Sequence, residues 1–173
     1  PSRLVRLDAA WATLNPSRRE SQHNEELMAY LTLNSDQSAG ALRQAQLALA
    51  ERRMDDATGW IDKAVEWDPS AGAHHMKGRI YHGAQRLPEA VTALQKAAEL
   101  EPWNADHHFT LSLLYGELQR PIDALASLKA TVQAAPAFGR AWYNLGLAHA
   151  QLEQLDEAVA ALRKAETLMP SSP

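Results

Sequence analysis

The sequence predicts an all-α fold, an α-solenoid built from antiparallel helical hairpins. The first observation behind this prediction is composition. Alanine and leucine are frequent, while β-branched residues are sparse and never alternate with polar residues over the length of a strand. The second observation is an internal repeat with a period of about 34 residues, which is typical of stacked helix pairs that share one continuous core.

The repeat is visible as classes of residue that recur in step. Prolines spaced by 33, 34 and 34 residues mark it, at Pro69, Pro102, Pro136 and Pro170. An alanine lies twelve residues before each proline, at Ala57, Ala90, Ala124 and Ala158. A small residue lies twenty-four before each, at Ala45, Gly78, Ser112 and Gly146. We therefore predict four repeats, at residues 38–70, 71–104, 105–138 and 139–172.

The fourth repeat shows how each unit is expected to fold. A first helix covers about residues 141–151 and a second covers about 155–168. Gly146 lies inside the first helix, where glycine costs about 1 kcal/mol relative to alanine. We expect this glycine to allow close contact with Ala158 of the second helix, which Pro170 then ends.

The same repeat resembles the tetratricopeptide repeat family. The residues that carry the resemblance are Trp142-Tyr143-Asn144-Leu145-Gly146, followed by His149, Ala158, Leu162, Ala165 and Pro170. The resemblance covers about residues 38–172 and implies a right-handed superhelix, with about ten helices in the whole chain. It also implies a scaffold for protein–protein interaction in which the first helix of each repeat lines a concave surface.

Residues 1–37 do not fit the 34-residue register, and we expect two further helices there. The segment Leu4–Leu14 resembles the second helix of a HEAT-type repeat, and another helix is predicted from about Ser17 to Leu33. The pattern suggests a fragment of a longer protein with a different solenoid upstream. Some bacterial multihaem cytochromes are similar in carrying HEAT-like repeats before tetratricopeptide repeats.

The concave surface implied by the resemblance is the predicted binding site for a peptide or partner protein. Its candidate residues are Arg43, Gln46, His75, Arg79, Phe109, Thr110, Leu113, Arg140, Tyr143, Asn144 and Leu147. Aromatic residues and arginines contribute strongly at protein interfaces, and an asparagine amide both donates and accepts hydrogen bonds. The alternative is that Phe109 and Leu113 pack against neighbouring helices and that Tyr143 bridges adjacent repeats. We interpret the remaining large aromatic residues as packing or turn anchors, namely Trp60, Trp67, Trp103 and Trp142.

Chaperone-binding members of the family hold a partner with a clamp for two carboxylates, and this chain does not reproduce it. The places of the clamp's lysine and asparagines are taken by Leu42, Gln46 and Met76 or, in another register, by His75, Arg79 and Thr110. We therefore do not expect recognition of a free C-terminal carboxylate in that manner.

Composition and motifs argue against several other classes of protein. The chain has no cysteine, which excludes thiolate metal sites and attachment of a c-type haem, and its net charge of −4 disfavours a nucleic-acid binder. No apolar run approaches the ~20 residues of a membrane span. No phosphate loop or nucleophile motif is present, so we expect neither an enzyme nor a cofactor. Adjacent residues on a helix point about 100° apart, which argues against metal chelation by the pairs His74-His75 and His107-His108.

The terminal helix suggests a further property. Solenoids need a polar outer face on their last repeat, yet Val159 and Leu162 of the last predicted helix have no cover encoded after them. Either more protein follows in the parent chain or another subunit covers this face, and we predict a tendency to self-associate through the uncapped ends of the solenoid. The leading hypothesis is a peptide- or protein-binding scaffold. The alternatives are an accessory domain of a larger enzyme or multihaem electron-transfer protein, and a self-assembly module. The sequence leaves open whether the compartment is the cytoplasm or the periplasm.

Overall fold

The computed structural model describes residues 37–169, which form eight helices and no strand. The helices are α1 (Ser38–Ala50), α2 (Met54–Trp67), α3 (Ala71–Gly83), α4 (Leu87–Leu100), α5 (Ala105–Glu117), α6 (Pro121–Ala134), α7 (Gly139–Gln151) and α8 (Leu155–Leu168). The predicted total of about ten helices was for the whole chain, of which residues 37–169 contain eight. The two helices predicted near the N-terminus, including the HEAT-like one, lie outside the described residues.

The chain divides into two compact units, with the boundary between Ala84 and Gln85. In the described part of the first unit, α1 packs on α2, α2 packs on α3, and α1 also contacts α3. A polar link reinforces the α2–α3 contact: the Tyr81 hydroxyl donates to the Asp62 carboxylate at 2.7 Å, and Lys77 Nζ lies 2.9 Å from the same carboxylate. Buried aliphatic side chains complete this core, at Ala41, Ala45, Leu47, Ala48, Ala57, Ile61, Ala64, Ala71, Ala73 and Ile80.

The second unit contains α4 to α8, and consecutive helices in it pack on one another. A hydrophobic cluster joins α5, α6, α7 and α8, and its buried members are Phe109, Leu125, Leu128, Val132, Ala141, Leu145, Ala148 and Ala161. Across the α4–α5 contact, the Gln95 amide donates to the Tyr115 hydroxyl at 2.8 Å. Tyr115 lies 34 residues after Tyr81, and in each unit the tyrosine hydroxyl is hydrogen-bonded to the preceding helix. Tyr81 donates to Asp62 of α2, whereas Tyr115 accepts from Gln95 of α4.

The close helix contact predicted at Gly146 is confirmed. A β-carbon placed on Gly146 would lie 2.6 Å from Leu162 Cγ and 3.2 Å from the carbonyl oxygen of Ala158. Real β-carbons essentially never lie within 3.0 Å of another atom, so a larger residue here would require Leu162 to move or α7 and α8 to separate.

The turn from the first to the second helix of each hairpin has a recurrent conformation. A residue other than glycine adopts left-handed φ values of 58°, 61°, 53° and 59°, at Arg52, Gln85, Gln119 and Glu153 respectively. After α5, the Gln119 N–H bonds to the Gly116 carbonyl at 3.1 Å and the Arg120 N–H bonds to the Tyr115 carbonyl at 2.9 Å. This is the Schellman pattern, which satisfies the last carbonyl groups of a helix.

Candidate functional site

The predicted binding residues are distributed over both units. The first unit holds Arg43 and Gln46 on α1, and His75 and Arg79 on α3. The second unit holds Phe109, Thr110 and Leu113 on α5, and Arg140, Tyr143, Asn144 and Leu147 on α7. In the first unit Arg79 is exposed, while the other three are half-buried.

The second unit has an open pocket between α5, α6 and α7, with a volume of about 150 Å³. We call it the α5–α7 pocket, and its lining residues are Ser112, Leu113, Gly116, Ala124, Leu128, Asn144, Leu147, Ala148 and Gln151. It brings together three of the predicted residues: Leu113, Asn144 and Leu147. The sequence analysis did not identify Gly116 or Gln151. For Gly116 a signal was available in the sequence, because it is a glycine inside a helix and has no small residue as a partner on a facing helix.

Three large apolar side chains stand in solvent on α5 and α7. Leu113 is 48% exposed, Tyr143 is 47% exposed and Leu147 is 44% exposed. With Asn144, they form what we call the α5–α7 face. Asn144 is half-buried, and within residues 37–169 its side-chain amide makes no hydrogen bond. This face therefore combines apolar surface with an amide that is available to a ligand.

The expectation that Phe109 is exposed in the groove is wrong. Its side chain is only 9% exposed, and its ring centroid lies 4.7 Å from that of Phe138, just before α7. The alternative, packing against neighbouring helices, describes its environment, because Phe109 belongs to the buried hydrophobic cluster that joins α5, α6, α7 and α8. Thr110 is half-buried, and its hydroxyl donates to the Asp106 carbonyl of its own helix at 2.8 Å.

A second hollow, which we call the α7–α8 hollow, has a volume of about 480 Å³. It is lined by Tyr143, Val159, Leu162, Arg163, Ala165, Glu166 and Met169. Val159 is 49% exposed and Met169 is 45% exposed. The apolar residues that the sequence singled out on the last helix thus line an open concavity.

The large aromatic residues and the histidines divide between surface and structural positions. Trp103 is 73% exposed, whereas the indole N–H of Trp142 donates to the Pro136 carbonyl at 2.9 Å and so anchors a turn. His108, at the equivalent repeat position, lies 2.9 Å from the Pro102 carbonyl. Buried His149 lies 2.6 Å from the side-chain oxygen of Gln154. These contacts hold the turns in place.

Glu101 joins a polar cluster at the start of α5. The Asn104 amide donates to its carboxylate at 2.9 Å, and buried His107 lies 3.1 Å away. The hydrogen bond from Asn104, followed by that with His107, lowers the pKa of Glu101. In the described residues no group of three His, Cys, Asp or Glu side chains is arranged to hold a metal. None of the helices between residues 37 and 169 has the length and apolar character to cross a membrane.

Comparison with known proteins connects this architecture to a family. Models described as Tetratricopeptide repeat match residues 71–102 and 109–173. The Hsp70-Hsp90 organizing protein of Triticum aestivum is 32% identical over 96 residues, which are 56% of this chain and 16% of that protein. This chain therefore spans about a sixth of that relative's length.

Solved structures show the same fold. The crystal structure of MamA superposes with a TM-score of 0.76 at 23% identity, covering 90% of this chain and 95% of MamA. YrrB, a TPR protein with an unusual peptide-binding site, gives a TM-score of 0.70 at 20% identity, covering 97% and 80% of the two chains. Because the two repeat models together match more than half of the residues and the fold agrees, this chain belongs to the tetratricopeptide repeat family.

Proposed function

We propose that this chain is a protein-interaction scaffold that binds a peptide segment of a partner protein on the α5–α7 face. The observation that carries the proposal is the exposure of Leu113, Tyr143 and Leu147, of which Leu113 and Leu147 line an open pocket. Clusters of exposed apolar side chains on soluble domains mark interaction sites, because leaving them in water is unfavourable. Membership of a repeat family and likeness to a peptide-binding TPR protein support the same function.

Asn144 gives the α5–α7 face a way to recognise a main chain. Its amide donates and accepts, so it can pair with both the N–H and the carbonyl of an extended peptide. Exposed Arg140 lies one turn earlier on α7 and offers a positive charge beside Tyr143. Aromatic and arginine side chains of this kind contribute strongly at interfaces.

The partner is best described as an internal peptide segment. The match to the Hsp70-Hsp90 organizing protein covers a small part of that protein, and the clamp positions hold different residues here. We therefore propose no binding of a free C-terminal carboxylate and no role for a nucleic acid. A role in binding for Arg43, Gln46, His75 and Arg79 remains a prediction from the sequence. The alternative that this chain is an accessory domain of a larger enzyme or multihaem electron-transfer protein also remains a prediction.

Self-assembly is the second candidate function, and one observation favours it. Leu125 and Leu128 of α6 are buried in a cluster that includes Ala141 and Leu145 of α7. The residues 34 positions later, Val159 and Leu162, line the open α7–α8 hollow. A helix from a second copy of the chain would cover them as α7 covers α6.

A random peptide library tests the leading proposal. The library is selected on the intact chain and compared with a Tyr143→Glu/Leu147→Glu variant, because two carboxylates would require desolvation in any apolar contact. An Ile122→Glu variant is the matched control, since Ile122 is 72% exposed on α6 and lies outside both the pocket and the hollow. We expect enriched peptides to bind the intact chain and the control at least about tenfold more tightly than the double variant, a difference of about 1.4 kcal/mol.

The opposite result is equally informative. Equal binding of the enriched peptides to all three proteins, with helicity unchanged, would remove the α5–α7 face from the binding site. A failure to enrich any peptide would argue against peptide recognition as the function.

A further inference from the structure

Gly116 lines the α5–α7 pocket from within α5, and the chain's own packing does not require a glycine there. A β-carbon placed on Gly116 meets no atom within 4 Å, whereas the same test at Gly146 gives contacts as short as 2.6 Å. Gly116 also has no left-handed φ that would favour glycine. Glycine inside a helix is less favourable than alanine, so Gly116 lowers the stability of α5. No contact among the described residues requires a glycine at this position.

The other first helices differ at this point. The residues 34 positions before and after Gly116 are His82 and Ala150, so the repeat does not demand glycine here. What the missing side chain leaves open is the pocket itself, because Gly116 is part of its wall. The absence of a β-carbon therefore preserves space for an atom group from outside the chain.

The pocket has the chemistry of an aliphatic binding site with polar ends. Leu113, Leu128 and Leu147 provide its apolar walls. Asn144 and Gln151 lie seven residues apart on α7, two helical turns or roughly 10.5 Å along the axis. An extended peptide advances about 3.3 Å per residue, so about three residues span the distance between the two amides.

The volume limits the size of the group that enters. A dry apolar cavity of about 150 Å³ is large enough for one benzene molecule. The α5–α7 pocket has the same volume, so it accommodates a leucine side chain and leaves little room for an indole. A charged side chain would lose its hydration against leucine walls with no partner charge among the lining residues.

We propose that Gly116 keeps this pocket open for one branched aliphatic side chain, of the leucine type, from an extended peptide segment. The Asn144 and Gln151 amides hold the main chain on either side of that residue. This inference rests on the proposed function of the α5–α7 face, and it specifies the residue type that the ligand carries.

Two small probes test the pocket without knowledge of the natural partner. N-acetyl-leucine N-methylamide and N-acetyl-alanine N-methylamide are titrated into the isotope-labelled full chain, and NMR follows the methyl groups of Leu113, Leu128 and Leu147. We expect the leucine probe to shift these signals and to bind about tenfold more tightly than the alanine probe, since it buries additional methyl and methylene groups.

Variants separate the pocket from the stability of the fold. Gly116→Leu fills the pocket, while Gly59→Leu is a matched control, because a β-carbon at Gly59 on α2 also meets nothing within 4 Å. Both replacements favour the helix, so we expect both proteins to stay folded with an unchanged or raised melting temperature. The leucine probe should lose its affinity for Gly116→Leu and keep it for Gly59→Leu. Gly116→Ala, which adds one methyl group, gives an intermediate loss.

Equal affinity for the two probes, or undiminished leucine binding by folded Gly116→Leu or by Gly116→Ala, would overturn the assignment. The library selection distinguishes this failure from failure of the proposed function. Suppose that the selected peptides lose affinity for the Tyr143→Glu/Leu147→Glu variant but bind Gly116→Leu as tightly as the intact chain. The proposed function would then be retained, and the assignment of the pocket would be rejected. If the leucine probe binds but the library yields no peptide, the pocket assignment would be retained and the proposed peptide-binding function would be rejected.

Discussion

At Gly146 a single missing β-carbon decides how closely α7 and α8 approach. The atoms that a side chain would meet include Leu162 Cγ at 2.6 Å and the Ala158 carbonyl oxygen at 3.2 Å. A leucine side chain can turn aside at some cost, but a helix carbonyl is fixed by its own hydrogen bonds. Gly59 lies in α2 with open space around it. The same residue type thus has opposite energetic roles at two positions in one chain.

Replacing these two glycines should therefore have effects of opposite sign. We expect Gly146→Ala to destabilise the protein by about 1–2 kcal/mol, since overpacking costs about 1–3 kcal/mol and the gain in helix propensity offsets part of it. Gly59→Ala should stabilise it by up to about 1 kcal/mol, because only the propensity changes. Urea denaturation followed by circular dichroism measures both. A stabilising Gly146→Ala would show that the close contact of α7 with α8 does not constrain the sequence.

At the scale of the secondary-structure element, the turn between the two helices of each hairpin has recurrent features. A residue with left-handed φ lies two positions after the end of each first helix, and in no case is that residue a glycine. Three of the following residues are arginines that pair with an acidic residue three positions later, and the pairs are Arg53–Asp56, Arg86–Glu89 and Arg120–Asp123. The pairs are exposed, so each contributes little to the free energy of unfolding. They favour the start of the second helix by placing a carboxylate in its first turn.

A glycine at the left-handed position should improve the turn. At Gln119, where φ is 53°, a side chain with a β-carbon is strained by about 1–2 kcal/mol. We expect Gln119→Gly to stabilise the protein by about 0.5–1 kcal/mol, since the greater freedom of glycine in the unfolded chain offsets part of the relief. Gln133→Gly is the control, because Gln133 is exposed within α6 and glycine there should destabilise by up to about 1 kcal/mol. Thermal unfolding of both variants checks the prediction, which is wrong if both lower the midpoint.

At the scale of the whole molecule, the repeat places apolar residues on the second helix of each hairpin, where the next repeat would pack. In the second unit, Leu125 and Leu128 of α6 lie under α7, whereas Val159 and Leu162 of α8 line an open hollow. Repeat arrays are stabilised by contacts between adjacent repeats, so an apolar face that residues 37–169 leave open favours association. The proposed self-assembly follows from this difference between two equivalent positions.

Association through the α7–α8 hollow should be concentration-dependent. We expect the mass measured by sedimentation equilibrium to rise with protein concentration for the intact chain and for Ile122→Glu. A Val159→Glu/Met169→Glu variant should keep the mass of a monomer, because its charges would have to be desolvated on contact. A mass that stays monomeric for the intact chain over the whole range, or a double variant that still associates, would contradict self-assembly by this surface.

The sequence by itself determined the family, the helical class and the contact at Gly146. These features follow from local information: helix-forming composition, a period of about 34 residues, and small residues that recur where helices cross. The division into four repeats and the structure of residues 1–36 remain predictions. The left-handed turn residues escaped prediction, because they are not the glycine or asparagine that such positions usually hold.

Only the tertiary structure decided which residues of the predicted face reach solvent. Phe109 and Tyr143 occupy the same repeat position, yet one is buried against Phe138 and the other is 47% exposed. Gly116 and Gly146 are both glycines within helices, yet one borders open space and the other touches its neighbour. A repeat pattern assigns a residue to a side of its helix. What covers that side depends on the next helix pair, and that is a property of packing in three dimensions.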